Sequence, residues 1–169
     1  MILFFKFRMM KKIIYLVLFT LISNLCLGQV TVKGVTLGDT LRGESLTSTT
    51  LGGIDMAQSI LTLNDGRIYL ILYTPCKDDC ENVSRVYESN VTTIREGLAS
   101  KFDLKFRKIT EEYTDNYQLR ATKGDTVFLL TVETNQFMDK PCELLIYIFS
   151  DSLYEVNNKE EQEEANTDF

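Results

Sequence analysis

Two segments of the chain are apolar at nearly every position, and the segment between them repeats apolar residues with helical spacing. Residues 67–74 and 142–149 are hydrophobic on both alternating faces, which is typical of central strands that are covered on both sides. Between them, apolar residues recur at spacings of three and four: Val83, Tyr87, Val91, Ile94, Leu98 and Phe102. This stripe predicts one long helix that begins near Asp79.

Shorter patterns predict the remaining strands. Residues 57–63 form a candidate strand, and Asn64-Asp65-Gly66 predicts a tight turn that joins it to residues 67–74 in a hairpin. After the helix, residues 104–109, 117–121 and 126–133 predict further strands, with a turn at residues 123–125. The chain is therefore expected to be α+β, an antiparallel sheet of about five strands in the order β-β-α-β-β-β with one long helix on one face.

The ends of the chain differ from this central part. Lys11 and Lys12 precede an apolar run of roughly 15 residues, which is short for a membrane span of about 20. Cys26 and Gly28 supply the small residues that a signal peptidase reads. We expect a signal peptide over residues 1–28, with translation starting at Met1 or Met10, and a mature chain without a membrane span. Such a protein would be extracytoplasmic, periplasmic or secreted, and bacterial.

The mature chain divides into three parts in this interpretation. Residues 29–56 are rich in Gly and Thr and are expected to form a loosely structured lead-in. Residues 57–150 are expected to form the single α+β domain. Residues 151–169 carry many acidic and few apolar side chains, which predicts a largely disordered tail.

One helix can cover only one face of the sheet, so the second face is a candidate binding surface. Strict alternation places an aromatic group opposite the aliphatic residues of the two central strands: Tyr69, Tyr73, Tyr147 and Phe149. If exposed, this group would contact a protein or a small apolar ligand. The alternative is that residues 30–56 fold over it and bury it as a second small core.

Composition narrows the chemistry. The chain has no histidine, which excludes Ser-His and Cys-His nucleophile pairs and His-ligated zinc. No catalytic constellation, cofactor or metal site is predicted, so the protein is not expected to be an enzyme. Loss of residues 1–28 would remove four cations and no acid, changing the formal net charge from −6 to −10. This acidity disfavours nucleic acid as a partner.

Three cysteines remain after the predicted cleavage: Cys76, Cys80 and Cys142. Both prolines stand directly before a cysteine, one at the end of the first central strand and one at the start of the second. If these strands are antiparallel neighbours, Cys76 or Cys80 could form a disulfide with Cys142.

The same residues resemble the layout of thioredoxin-like oxidoreductases. In this chain a strand leads into Pro75-Cys76-x-x-x-Cys80 before a predicted helix, and a later proline, Pro141, leads into another strand. The family likewise has a strand, a cysteine pair at a helix start and a later proline. The resemblance covers residues 68–91 and 141–148 and implies a dithiol activated by the helix N-terminus. The chain departs from the family in its Cys-x3-Cys spacing, in Asp78 and Asp79 beside the thiols, and in its lack of crossover helices.

These observations support three functional hypotheses. The leading one is an exported, noncatalytic binding or interaction module of unknown partner. The second is an extracytoplasmic thiol-disulfide oxidoreductase that uses Cys76 and Cys80. The third is an accessory structural component of a cell-envelope assembly.

Overall fold

The computed structural model describes residues 30–110, 116–134 and 141–167; the predicted signal peptide lies outside them. These residues form ten strands and two helices in chain order: β1 (Thr31–Val32), β2 (Val35–Thr36), β3 (Leu46–Leu51), β4 (Ile54–Thr62), β5 (Ile68–Lys77), β6 (Asn82–Val83), α1 (Glu88–Phe102), β7 (Arg107–Thr110), β8 (Tyr117–Lys123), β9 (Thr126–Glu133), β10 (Glu143–Ser150) and α2 (Asp151–Thr167).

Eight of the strands form one antiparallel sheet, in the order β3-β4-β5-β10-β9-β8-β7, with β6 paired to the end of β5. The α+β class and the antiparallel sheet agree with the sequence prediction. β5 and β10 are antiparallel neighbours, an arrangement that the sequence left open. The prediction of about five strands in the order β-β-α-β-β-β is wrong. The sheet gains β3 from the Gly/Thr-rich lead-in and β6 from the predicted start of the helix.

The lead-in forms strands because its threonines suit an extended backbone and its glycines allow the turns. Gly52 and Gly53, at φ 58° and 79°, join β3 to β4 in a tight hairpin. β1 and β2 form a separate two-stranded hairpin with a turn at Lys33 and Gly34. The lead-in is thus part of the folded domain.

The helix α1 is shorter than predicted, beginning at Glu88 instead of near Asp79. Three consecutive residues, Asp78, Asp79 and Cys80, have positive φ and turn the chain back into β6, which is incompatible with a right-handed helix. The exposed side chains of Val83 and Tyr87 therefore do not belong to the helical stripe. The rest of that stripe is buried as predicted: Val91, Ile94, Leu98 and Phe102.

The main core lies between α1 and one face of the sheet. It contains Ile71 and Tyr73 of β5 and Ile146 and Ile148 of β10. Val30, Val32 and Leu37 of the lead-in join this same core beside α1. The lead-in therefore covers the helix side of the sheet, and the alternative that residues 30–56 bury the opposite face is wrong.

A bulge in β5 changes which residues share a face. The β4–β5 register passes from Leu61 opposite Leu70 to Thr62 opposite Ile68, so Tyr69 is an extra residue in its strand. Tyr69 and Leu70 consequently lie on the same side, in a second cluster with Leu63. Beyond the bulge the alternation is inverted, which places Tyr73 in the main core instead of on the aromatic face.

The second face is covered in part by α2, in the segment expected to be a largely disordered tail. Leu153 and Val156, three residues apart, pack against the second cluster with Tyr147 and Phe149. The ring of Tyr154 lies 5.2 Å from that of Phe149 and 6.2 Å from that of Tyr69, measured between centroids. Burial of these apolar side chains of α2 explains why an acidic segment is ordered.

Candidate functional site

The four aromatic residues predicted to form a contact surface do not share one face. Tyr73 is fully buried in the main core. Tyr69 is also buried, next to Tyr154 of α2, whereas Tyr147 and Phe149 remain half-buried at the border of α2. The sequence-predicted surface is therefore divided between the core and the helix-covered cluster.

The cysteines also differ from the expected pairing. Cys76 and Cys80 form a disulfide that closes the turn between β5 and β6. Cys142 is a free, buried thiol whose Sγ donates to the carbonyl oxygen of Val86 at 3.1 Å. Cys142 and Val86 are bridge partners, so residues 82–86 lie where a bond from Cys76 to Cys142 would have to form. Burial raises the pKa of the Cys142 thiol, with a further contribution from Glu88.

A cleft of about 810 Å³ lies between the lead-in and the start of the sheet. One wall is residues 33–44, and the other is formed by β3, β4 and the beginning of β5. Backbone hydrogen bonds from Gly38 to Ile68 and from Leu41 to Gly66 fix the lead-in at one end of the cleft. We call this space the Gln58 cleft, after the side chain described next.

Gln58 occupies an inward position of β4, between Met56 and Ile60, and lines the cleft. The residue is 3% exposed, and its Nε2 donates to no acceptor within the part of the chain that the structure describes. Its Oε1 accepts a hydrogen bond of 3.4 Å from Thr47 Oγ1 on β3, which orients the amide. A buried amide donor without a partner is costly, typically by about 1–3 kcal/mol. An acceptor supplied by a ligand would remove this cost.

Gln58 is part of a polar row that crosses three strands. Thr47, Gln58 and Tyr73 are register partners on β3, β4 and β5. The Tyr73 hydroxyl is also buried without a hydrogen-bond partner, and burial raises the pKa of this phenol. Tyr73 does not line the cleft, so the two unpaired groups differ in their access to a ligand.

The cleft presents charges of both signs, hydroxyl groups and four apolar side chains. Lys33 and Arg42 line it together with Asp39 and Glu44, and none of the four forms an ion pair with another described residue. Thr36 and Thr40 add hydroxyl groups, and no aromatic residue lines the cavity. Such a lining suits a polar ligand held by hydrogen bonds and charge instead of an apolar or stacked one.

Sequence reasoning did not identify this site, because it treated residues 29–56 as loosely structured. The available signal was Gln58, a polar residue at an inward position of a strand whose neighbouring inward positions, 56 and 60, are apolar. The glycines at 34, 38 and 43, all at positive φ, are the second signal, since they allow residues 33–44 to fold back over the strand.

No protein-family model matches the chain, and no curated protein matches it at a significant level. A solved structure with some similarity is that of a DUF4309 family protein, YjgB, from Bacillus subtilis. The identity is 14%, the match covers 68% of this chain and 70% of that protein, and the TM-score is 0.33. A similarity of this size supports no argument about function. In the part of the chain that the structure describes, no helix is long and hydrophobic enough to cross a bilayer.

Proposed function

We propose that this protein is an exported, noncatalytic binding module and that the Gln58 cleft is its ligand site. The observation that supports the proposal most directly is Gln58, a residue that lines the cleft and whose buried Nε2 has no acceptor among the described residues. Natural proteins leave few buried donors unpaired. A ligand with a carbonyl, carboxylate or hydroxyl oxygen would complete this hydrogen bond.

The disulfide between Cys76 and Cys80 supports the export part of the proposal. Disulfides persist in oxidising compartments and are rare in the bacterial cytosol. Export would be tested by the intact mass of the protein recovered outside the cytoplasm, which is expected to begin at Gln29. Retention of residues 1–28 in that material would contradict it.

The ligand site can be tested by following the side-chain amide of Gln58 directly. The purified, ¹⁵N-labelled protein would be titrated with a panel of free amino acids, dipeptides and small carboxylates. We expect at least one of these probes to shift the side-chain Nε2–H resonances of Gln58. Gln58→Leu removes the donor and is expected to weaken binding of that probe by about tenfold.

Tyr73→Phe is the matched control. It also removes a buried, unpaired polar group from the same row, but from a residue that does not line the cleft. Binding should therefore be unchanged in this variant. A panel that shifts no Gln58 resonance, or equal losses in both variants, would contradict the assignment of the cleft.

The oxidoreductase remains a second proposal because Cys76 and Cys80 are bonded to one another and Cys80 is half-exposed. The pair does not lie at a helix N-terminus, however, since α1 begins at Glu88. It therefore lacks the helix dipole that would lower the thiol pKa. A disulfide-reduction assay that shows turnover, lost in Cys80→Ser, would favour this function over the binding module.

A further inference from the structure

We infer that the ligand of the Gln58 cleft is an extended peptide segment of a partner protein, which pairs with β3 as an added edge strand and places a glutamate or glutamine side chain in the cleft. This inference rests on the proposed function, because it assigns the ligand class of the same site. It depends on the position and composition of β3 as well as on Gln58.

β3 is an end strand of the sheet and pairs only with β4 among the described strands. Its other side pairs with no strand among the described residues, and five of its six residues are exposed or half-exposed. A free strand edge is a template for a further strand unless the sequence protects it.

The two ends of the sheet are protected differently. β7 carries Arg107 and Lys108 at the opposite end of the sheet, which is a common protection against strand pairing. β3 has the sequence Leu-Thr-Ser-Thr-Thr-Leu, without a charge or a proline. Leu46, at its start, is 63% exposed. The unprotected edge is the one next to the cleft.

The edge and the cleft share a residue. Thr47 belongs to β3, lines the cleft and donates to Gln58. In a strand added beside β3, alternate side chains would point to the cleft side of the sheet. The backbone of that strand would bind the edge, and one of these side chains would occupy the cleft.

Distance determines which side chain can satisfy Gln58. The added strand would lie two strand spacings, or about 10 Å, from β4. The side chains of threonine and serine are too short to meet the Gln58 amide across this distance, whereas glutamate and glutamine are long and end in an acceptor oxygen. Lys33 and Arg42 line the cleft together with Asp39 and Glu44, so the charges of the lining do not select between glutamate and glutamine.

The same argument disfavours a second copy of this chain on the edge. The side chains that β3 of another copy would direct to the cleft side are those of Thr47, Thr49 and Leu51, which share the face of Gln58. They would leave Nε2 of Gln58 without an acceptor. A partner peptide with one long acceptor side chain satisfies both the edge and the cleft.

The test uses a phage-displayed library of random decapeptides selected against the purified protein. We expect the selected peptides to be rich in β-branched residues and to share one glutamate or glutamine. The strongest binder would be synthesised with N-methyl groups on either of its two alternating sets of residues. Methylation of the set that faces β3 should weaken binding by at least about tenfold, and methylation of the other set should have little effect.

The remaining variants separate this inference from the proposed function. Replacement of the peptide's shared glutamate or glutamine by alanine should weaken binding to the wild-type protein about tenfold. The same replacement should have little effect on binding to the Gln58→Leu protein. Binding that needs Gln58 but tolerates both methylated peptides would overturn strand addition and retain the cleft as a ligand site. Binding that needs the backbone but is the same in Gln58→Leu would overturn the role of the cleft.

Two further results would overturn the inference entirely. One is a selection that yields no binding peptide. The other is dimerisation of the protein alone, measured by sedimentation and abolished by Ser48→Pro, which would assign the β3 edge to a second copy.

Discussion

Gln58 is a polar residue in a position where packing alone would favour an apolar one. The residue is 3% exposed, its amide has a donor that is unpaired among the described residues, and its inward neighbours on β4 are Met56 and Ile60. A residue that lowers stability at a ligand site is a common compromise between folding and function. The consequence can be measured in the absence of any ligand.

Gln58→Leu is expected to raise the free energy of unfolding by about 1 kcal/mol, because it removes an unsatisfied buried donor and keeps a similar volume. In a chain of this size the midpoint of thermal unfolding would rise by about 3 °C. Gln118→Leu, a half-exposed glutamine on β8, serves as the control and should change stability by less than about 0.5 kcal/mol. A destabilised Gln58→Leu protein would mean that the amide is satisfied in solution.

The β3–β4 turn offers a second test at the level of single residues. Gly52 and Gly53 both have positive φ, but only Gly52 is close to the helix: a Cβ there would lie 3.1 Å from Cγ1 of Ile94. Gly52→Ala should therefore add a steric contact to the backbone strain, whereas Gly53→Ala adds only the strain.

We expect Gly53→Ala to cost about 1 kcal/mol and Gly52→Ala to cost about 1 kcal/mol more, measured by urea unfolding. Gly52→Ala should also weaken the contact between α1 and β3, which amide hydrogen exchange of the helix would detect. Equal costs would show that α1 does not rest on this turn.

At the level of elements, α2 depends on a small hydrogen-bond network around Asp125, in the turn between β8 and β9. The carboxylate of Asp125 accepts from the backbone N–H of Ser152 at 3.0 Å and from Ser152 Oγ at 2.9 Å, and it also accepts from Ser150 Oγ. Ser150 Oγ in turn accepts from the N–H of Leu153 at 3.2 Å, within the first turn of the helix.

This network predicts a pH-dependent contribution to stability. Partial burial raises the pKa of Asp125, but the hydrogen bonds from Ser150 and Ser152 outweigh it and hold the pKa below its usual value. The contribution is therefore complete above the unfolded pKa of about 3.9 and is lost as the pH falls through the lower folded pKa.

We expect Asp125→Ala to lower the free energy of unfolding by about 1 kcal/mol at pH 7 and by less at pH 2. Ser152→Ala should be destabilising for the same reason, and the double variant should cost less than the sum of the two single changes. Urea unfolding at both pH values measures this, and an equal loss at pH 7 and pH 2 would contradict the role of the carboxylate.

The elements show which features sequence reasoning can predict in this chain and which it cannot. The apolar pattern on two faces predicts β5 and β10 as central strands but not their pairing, and the stripe that includes Ile94 and Leu98 predicts α1. The bulge at Tyr69 was not predictable, since it depends on how β4 pairs with β5. The sequence of α2 does not predict an ordered helix, because its order depends on the packing of Leu153 and Val156 against the second cluster. That contact exists only in the folded protein.

The candidate site was missed for a related reason. The cleft depends on long-range placement of residues 33–44 over β3 and β4, through hydrogen bonds such as that from Gly38 to Ile68. Strand alternation could have identified Gln58 as an inward polar residue, but not the cavity beside it. The aromatic residues of the central strands indicate a binding surface more strongly than Gln58 does in the sequence, yet Tyr73 lies in the core and Tyr69 is buried next to α2.

At the scale of the whole molecule, the two faces of the sheet are covered to different extents. α1 and the lead-in close one face over the main core, whereas α2 covers only part of the other. On that second face Leu72, Leu129 and Leu145 remain half-buried. The cleft lies on the well-covered side, so a ligand there would meet a fixed surface formed by the lead-in and three strands, which favours binding with little rearrangement.

The state of the cysteines tests both the fold around β5 and the proposed export. A protein that begins at Gln29 has three cysteines, of which Cys76 and Cys80 are bonded and Cys142 is free. Alkylation in denaturant should therefore add one label without a reductant and three labels with it, and peptide mapping should place the single label on Cys142. Cys142→Ser provides the control: it should give no label without a reductant and two labels with it.

The energetic effect of reduction gives a second measure of the same pairing. The Cys76–Cys80 bond closes a loop of about five residues, and chain entropy predicts that its reduction lowers the free energy of unfolding by about 2 kcal/mol. For a bond from Cys76 to Cys142, which closes a loop of some 65 residues, the predicted decrease is about 4 kcal/mol. The smaller loss, measured by urea unfolding with and without reductant, is expected here. A label on Cys80 or Cys76, together with the larger loss, would instead indicate a bond to Cys142 and would require residues 82–86 to leave their place beside β5.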